Sequence, residues 1–239
     1  MKNCSSTIAF VSVIAGLASV SAARADFVDV SYQGKQQGRT VKVTSALLTG
    51  DVFAGQLRHT LSDGPSGLNG DWISFCTDLA QHVSQSASSY EIVDASLLPD
   101  GGAMGAAKAQ AIADLYAHAG GLQLLTTTSD DLACAFQLAV WEIITDYNGE
   151  SDGYGLDVTA GGFKATKTNG DALSAGVMAE LTSLFAAVGV AGGSTDSLIG
   201  LRSGSKQDQL IYVPGPGALA LAGLAIGGLG RRRRAEGKR

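Results

Sequence analysis

The chain has 239 residues, 45% of them hydrophobic, and a net charge of −5. That charge is unevenly spread: the first 25 residues hold two basic and no acidic groups, the stretch from Val213 onward holds six basic and one acidic, and the part between holds nine basic against twenty-one acidic, a net of −12. A body this acidic repels phosphate backbones and argues against nucleic acid as a partner, while its length suffices for one domain with a sizeable core.

At the N-terminus, Lys2 precedes an apolar run from Ile8 to Val20, and Ala23-Arg24-Ala25 offers small residues at the spacing a signal peptidase needs. Residues 1–25 are therefore expected to be a secretory signal cut before Asp26. Period-two alternation predicts strands at Phe27–Ser31 and Thr40–Thr44. Further strand signals cover Val52–Thr60, Trp72–Thr77 and Tyr90–Ala95, separated by Gly, Pro, Asn and Asp clusters. The middle is helical in pattern. Met104–His118 is alanine-rich and stops at Gly120-Gly121. A second helix is expected from an N-cap at Ser129, with Asp130 and Asp131 in its first turn, to Asp146. A short hairpin arm is expected over Phe163–Thr168, and a third helix capped by Asp171 and running through Val188. Strands at Ser197–Arg202 and Gln209–Val213 close the domain. A β-rich first half, about three inserted helices and closing strands predict an α+β fold.

The chemistry-bearing residues fall in two short segments, Phe75-Cys76-Thr77-Asp78 and Phe136-Gln137-Leu138-Ala139-Val140-Trp141. A cysteine thiol and a glutamine side chain can condense with loss of ammonia to an internal thioester, a stored electrophile that an amine can open. On a helix Cys134, Gln137 and Trp141 share one stripe. Cys134 is therefore a rival partner: in an oxidising compartment Cys76 and Cys134 could instead form a disulfide, since Cys4 leaves with the signal. Phe75, Phe136 and Trp141 are suited by size and apolarity to shield a reactive bond, or to fill an ordinary core. His82 and His118 are candidates for proton transfer. A cysteine hydrolase using His59, His82 or His118 is a lesser alternative. The acidic run Asp146–Gly153 lacks the closing glutamate of a calcium loop, because Thr159 stands at the twelfth position from Asn148. No pattern of zinc ligands or phosphate-binding glycines is present in the sequence, so no metal or cofactor is expected.

At Cys76, in an aromatic-Cys pair, and at Gln137, in a Gln-x-x-x-Trp run, the sequence resembles the bacterial surface thioester domains. The resemblance implies a β-barrel or sandwich part joined to a helical part, a Cys76–Gln137 cross-link, and covalent adhesion to an amine-bearing surface, matrix or host target through a group such as a lysine. One molecule reacts once, so the protein is not expected to be an enzyme. The C-terminus, Val213-Pro214-Gly215-Pro216 followed by the apolar Gly217–Gly230 and then Arg231, Arg232, Arg233 and Arg234, resembles a PEP-CTERM sorting tail, with Gly215 where that family usually has Glu. This resemblance implies residues 213–239 as a tail recognised by an exosortase, transient inner-membrane association, and delivery to the cell surface or extracellular matrix of a Gram-negative envelope. The apolar stretch is short against the roughly 20 residues of a permanent span. The domain itself is expected to occupy residues 26–212. A disulfide-stabilised matrix protein with reversible binding only is the second reading.

Overall fold

The computed structural model describes residues 26–126, 128–149 and 155–214. The expected signal segment, and the tail from residue 215 with Pro216 and Arg231 to Arg234, lie outside the described residues.

The domain is α+β. Its strands are β1 (Phe27–Thr44), β2 (Thr49–Ser62), β3 (Gly70–Cys76), β4 (Ser88–Asp94), β5 (Lys164–Thr166), β6 (Leu198–Arg202) and β7 (Gln209–Tyr212). All pair antiparallel, in the order β2-β3-β7-β6-β4-β1-β5, and β1 also pairs with β2. That last pairing closes β1, β2, β3, β7, β6 and β4 on themselves as a barrel, with β5 outside as a short flank on β1. The first closing strand enters from the N-terminus and the last two from the C-terminus, so the barrel is completed only when both ends of the domain are in place.

Among the described residues, four α-helices are inserted between β4 and β6: α1 (Gly105–His118), α2 (Leu122–Thr126), α3 (Asp130–Asp146) and α4 (Ala175–Phe185). Ser129 caps α3 as its sequence predicts, its Oγ accepting from Leu132 N–H at 3.1 Å. The cap of α4 is a correction. Asp171, expected there, instead closes the turn after β5, where its carboxylate accepts from the Asn169 amide at 2.8 Å. Ser174 takes the cap and accepts from Val177 N–H. An Asx turn and a helix cap draw on the same side-chain chemistry, which is why the two positions are hard to separate in sequence. No helix among the described residues is long and apolar enough to cross a membrane.

The two predicted strands at Phe27–Ser31 and Thr40–Thr44 are one strand of 18 residues. The polar stretch between them, containing Gln33, Lys35, Gln36 and Gln37, loses its period because the register slips twice against β2. Gly38 pairs with Gly55 across this irregularity, both at positive φ, and a Cβ on Gly38 would lie 2.4 Å from the Ala54 carbonyl oxygen. The backbones approach there as only glycine permits. The bend lets Gly38 N–H reach the Asp130 carboxylate and Arg39 pair with Asp131 at 2.6 Å, fastening the hairpin to the start of α3.

Directly paired residues share a sheet face. Val28, Val30, Leu61, Tyr90, Leu201 and Ile211 turn inward and fill one end of the barrel. Phe75 and its partner Leu210 turn outward and join a larger core under α1, α3 and α4. Cys76, next along β3, pairs with Gln209 and so returns to the inner face.

Candidate functional site

β3 ends at Cys76, and the end of the strand is what creates the site. Pairing of β2 with β3 stops at Leu57 and Ser74, whereas pairing with β7 continues through Cys76 and Gln209. Cys76 therefore has a backbone N–H and C=O with no strand to receive them. The Gln137 side chain, from the middle of α3, takes that place. Cys76 N–H donates to Gln137 Oε1 at 2.9 Å, and Gln137 Nε2 donates to the Cys76 carbonyl at 2.8 Å. One side-chain amide thus does for β3 what another strand would have done, and it docks the helical part on the barrel. Both residues are nearly inaccessible, Cys76 at 3% and Gln137 at 1% exposed. Buried polar groups of this kind need their partners.

The Cys76 thiol donates to the Asp78 carbonyl at 3.0 Å. Burial pushes the thiol well above its ordinary value, and contacts with the Asp78 backbone and the Trp141 indole only partly oppose this. The sulfur is therefore protonated at rest. Trp141, one turn beyond Gln137, places its indole N–H near enough to the sulfur to favour the thiolate. The contact falls short of hydrogen-bond geometry, leaving that N–H unpaired in the interior. A nearby donor without full alignment is an electrostatic aid to the thiolate rather than a fixed bond.

Cys76, Gln137 and Trp141 line a cleft of about 460 Å³ whose walls include Val52, Phe53 and Leu57 of β2 and the Leu79–Val83 segment. Asp51 and Lys35 also border it, and Lys35 rests on the Phe53 ring, 5.0 Å from its centroid. A cavity of about 490 Å³ beside Arg39, Lys167 and Ser174 contains neither Cys76 nor Gln137. Arg39 there is already committed to Asp131, and the two residues singled out for their chemistry, Cys76 and Gln137, line the smaller cleft.

The other residues singled out in the sequence fall as follows. Phe75 and Phe136 are fully buried, 4.6 Å apart between ring centroids, and both meet Tyr116 edge to face in the core. They back the site without lining the cleft. Trp141 both lines the cleft and packs on Phe163 at 6.1 Å. Cys134 and Cys76 are free thiols. Burial pushes the Cys134 thiol up to about 12, and the Arg39 guanidinium and backbone beside it oppose that rise only in part. His59 is inside the barrel with Nδ1 2.9 Å from Ser74 Oγ, and burial lowers its pKa to about 4. His118 contacts Ser183 Oγ at 2.8 Å, and His82 is exposed at the cleft border. No hydrogen bond joins either cysteine to a histidine among the described residues, and no group of three or more His, Cys, Asp or Glu is placed to hold a metal there.

The wall residues Leu79, Gln81 and Gln207, and the carbonyl of Asp78, are missed by motif reasoning. They sit in polar loops whose composition is that of ordinary turns, and Asp78 acts through its backbone. Its adjacency to Cys76 is the only signal they leave.

The arrangement has a defined chemical capacity. The Cys76 N–H already points at the Gln137 oxygen that would become an oxyanion on attack by sulfur, which is the geometry of electrostatic stabilisation at an acyl carbon. No family model, curated protein or solved structure matches this chain.

Proposed function

We propose that this is an exported surface protein that forms an internal Cys76–Gln137 thioester and uses it once, to attach itself covalently to an amine-bearing target. The observation that carries the reading is the two-point docking of the Gln137 amide on the backbone of Cys76 at 2.9 and 2.8 Å. In the first step Cys76 Sγ bonds to the Gln137 side-chain carbonyl carbon, the C–N bond breaks, and the thiol proton leaves with the nitrogen as ammonia. In the second, the target amine bonds to the same carbon, the S–C bond breaks, and a proton from the amine returns the Cys76 thiol. The product is an isopeptide, and the chain is not a turnover catalyst.

Two further features support the choice of this cross-link over a disulfide. Cys134 is turned to Arg39, whereas Gln137 is hydrogen-bonded to Cys76. The cleft reaches both reacting residues, as an incoming amine requires. Signal peptidase before Asp26 and exosortase at the Val213-Pro214-Gly215-Pro216 tail are the proposed export partners, with the Arg231–Arg234 cluster holding the tail at the inner membrane until it is processed.

Intact mass of the purified protein tests the reading. The expected result is a chain lighter by one ammonia, which regains mass as a methylamine adduct at Gln137. A chain lighter by two hydrogens and inert to methylamine would overturn it in favour of the disulfide-stabilised matrix protein.

A further inference from the structure

The hydrogen bonds around Cys76 do not end at Asp78. The Asp78 carbonyl that accepts the thiol proton also accepts from Gln207 Nε2 at 3.0 Å. The same Gln207 nitrogen donates to the Gln81 carbonyl at 3.1 Å, and the Gln207 backbone N–H donates to the His82 carbonyl at 3.0 Å. Residue 207, in the turn between β6 and β7, therefore holds three carbonyls of the segment that walls the cleft. Gln207 is itself held from inside the barrel. Gln209 Nε2 donates to the Gln207 backbone carbonyl at 3.2 Å, Gln209 Oε1 accepts from Ser74 Oγ at 2.9 Å, and Ser74 Oγ meets His59 Nδ1. This is a continuous line of hydrogen bonds from the barrel interior to the sulfur.

We propose that Gln207 is a positioning residue for thioester formation: by fixing the Asp78 carbonyl it fixes the direction of the Cys76 S–H bond, and so leaves the sulfur lone pairs turned to the Gln137 side chain. The assignment rests on the Cys76–Gln137 thioester. A cysteine side chain has three staggered wells, and an S–H donor selects the one from which its acceptor can be reached. Without the two side-chain donors of Gln207 the Asp78 and Gln81 carbonyls lose their anchor, while the backbone N–H of residue 207 still holds the His82 carbonyl; the Asp78 acceptor moves, and the sulfur samples wells that face away from the acyl carbon. The effect reaches the reaction through Asp78, since Gln207 makes no hydrogen bond to either reacting residue.

The test compares the full chain with Gln207→Ala and Gln207→Glu, each made by cell-free synthesis and sampled over time by intact mass. The glutamate variant keeps the shape of the side chain and removes both N–H donors, so it separates donation from packing. Both variants are expected to lose ammonia about thirtyfold more slowly than wild type, the rate equivalent of two ordinary hydrogen bonds. The S–H stretching band of Cys76, isolated in the Gln137→Ala chain by difference against the same chain with Cys76→Ala, is expected to move to higher frequency when Gln207→Ala is added. Folded variants that form the thioester at the wild-type rate, or an unmoved S–H band, would overturn the assignment while the thioester stands. A wild-type chain that never loses ammonia removes the thioester reading itself.

Discussion

Opening the proposed cross-link with methylamine should weaken the fold by an amount that the chain itself sets. Cys76 and Gln137 are 61 residues apart. On the chain-entropy account, a covalent link closing a loop of that length stabilises the native state by about 4 kcal/mol, because it removes conformations from the unfolded chain. Aminolysis cuts this link and leaves the pairing of β3 with β2 and β7 untouched. With a urea slope of about 2 kcal/mol per molar, the unfolding midpoint should fall by about 2 M. The Cys76→Ala variant cannot form the link. It should unfold near the midpoint of the methylamine-treated protein, shifted by only about 1 kcal/mol for removal of the sulfur from a buried site, and methylamine should not move it. The assay is urea unfolding followed by far-UV circular dichroism, with intact mass on each sample. A wild-type midpoint that methylamine leaves in place, with no adduct, would refute the reasoning at its first step. An adduct without the fall in stability would refute the loop-closure account and leave the chemistry intact.

Three further predictions concern the scaffold of the site. Glu142 is 1% exposed with Oε2 unpaired, and its carboxyl is pushed up to about 7 by burial and by Asp146 and Asp157, against the Asp157 N–H bond to Oε1. A raised folded-state value means that stability is greatest below the unfolded value of 4.5 and declines as pH rises to about 7; Glu142→Gln should flatten that part of the urea-midpoint profile. Phe136→Ala removes the ring that Phe75 and Tyr116 both approach to 4.6 Å, and should cost about 3–5 kcal/mol by the same urea assay. Ser129→Ala removes the cap of α3 and should cost about 1 kcal/mol, with the rate of ammonia release nearly unchanged.

The parts of this fold that depend on local pattern are legible in the sequence. α3 shows its cap at Ser129, its acidic first turn and its helical stripe, so Gln137 and Trp141 can be placed on one face. The strand ending at Cys76 shows in its run of β-favouring residues from Trp72, bounded by a loop-forming cluster before it. Their meeting is a chemical expectation, drawn from what Cys and Gln side chains can do together, and it carries the pairing that periodicity cannot. What is not legible depends on distant partners. The continuity of β1 through Gln33–Gln37 comes from β2, which tolerates two register slips around Gly38 and Gly55. The barrel closes because β1, besides its hairpin pairing with β2, also meets β4, a contact between segments that no local window contains. The same reason hides Gln207: its role arises from three carbonyls more than a hundred residues earlier in the chain.

A buried site and an incoming partner make opposite demands, and the geometry meets them at different stages. Forming the proposed cross-link would need only groups of two residues already docked on each other: the Cys76 thiol, the Gln137 amide and the Cys76 N–H that would support the developing oxyanion. The Cys76 and Gln137 side chains are nearly inaccessible, which limits the competition of water for the acyl carbon. Opening the bond would need one further group from outside, and the cleft bordered by Val52, Phe53, Leu79 and Trp141 is the proposed route. Its apolar walls suit the methylene arm of a lysine, and only the neutral amine has the lone pair that attacks an acyl carbon, so the amine must shed its proton before it reacts. Capture should therefore quicken as pH rises toward the amine's own pKa. A capture rate independent of pH across that range would mean that deprotonation of the amine does not limit attack.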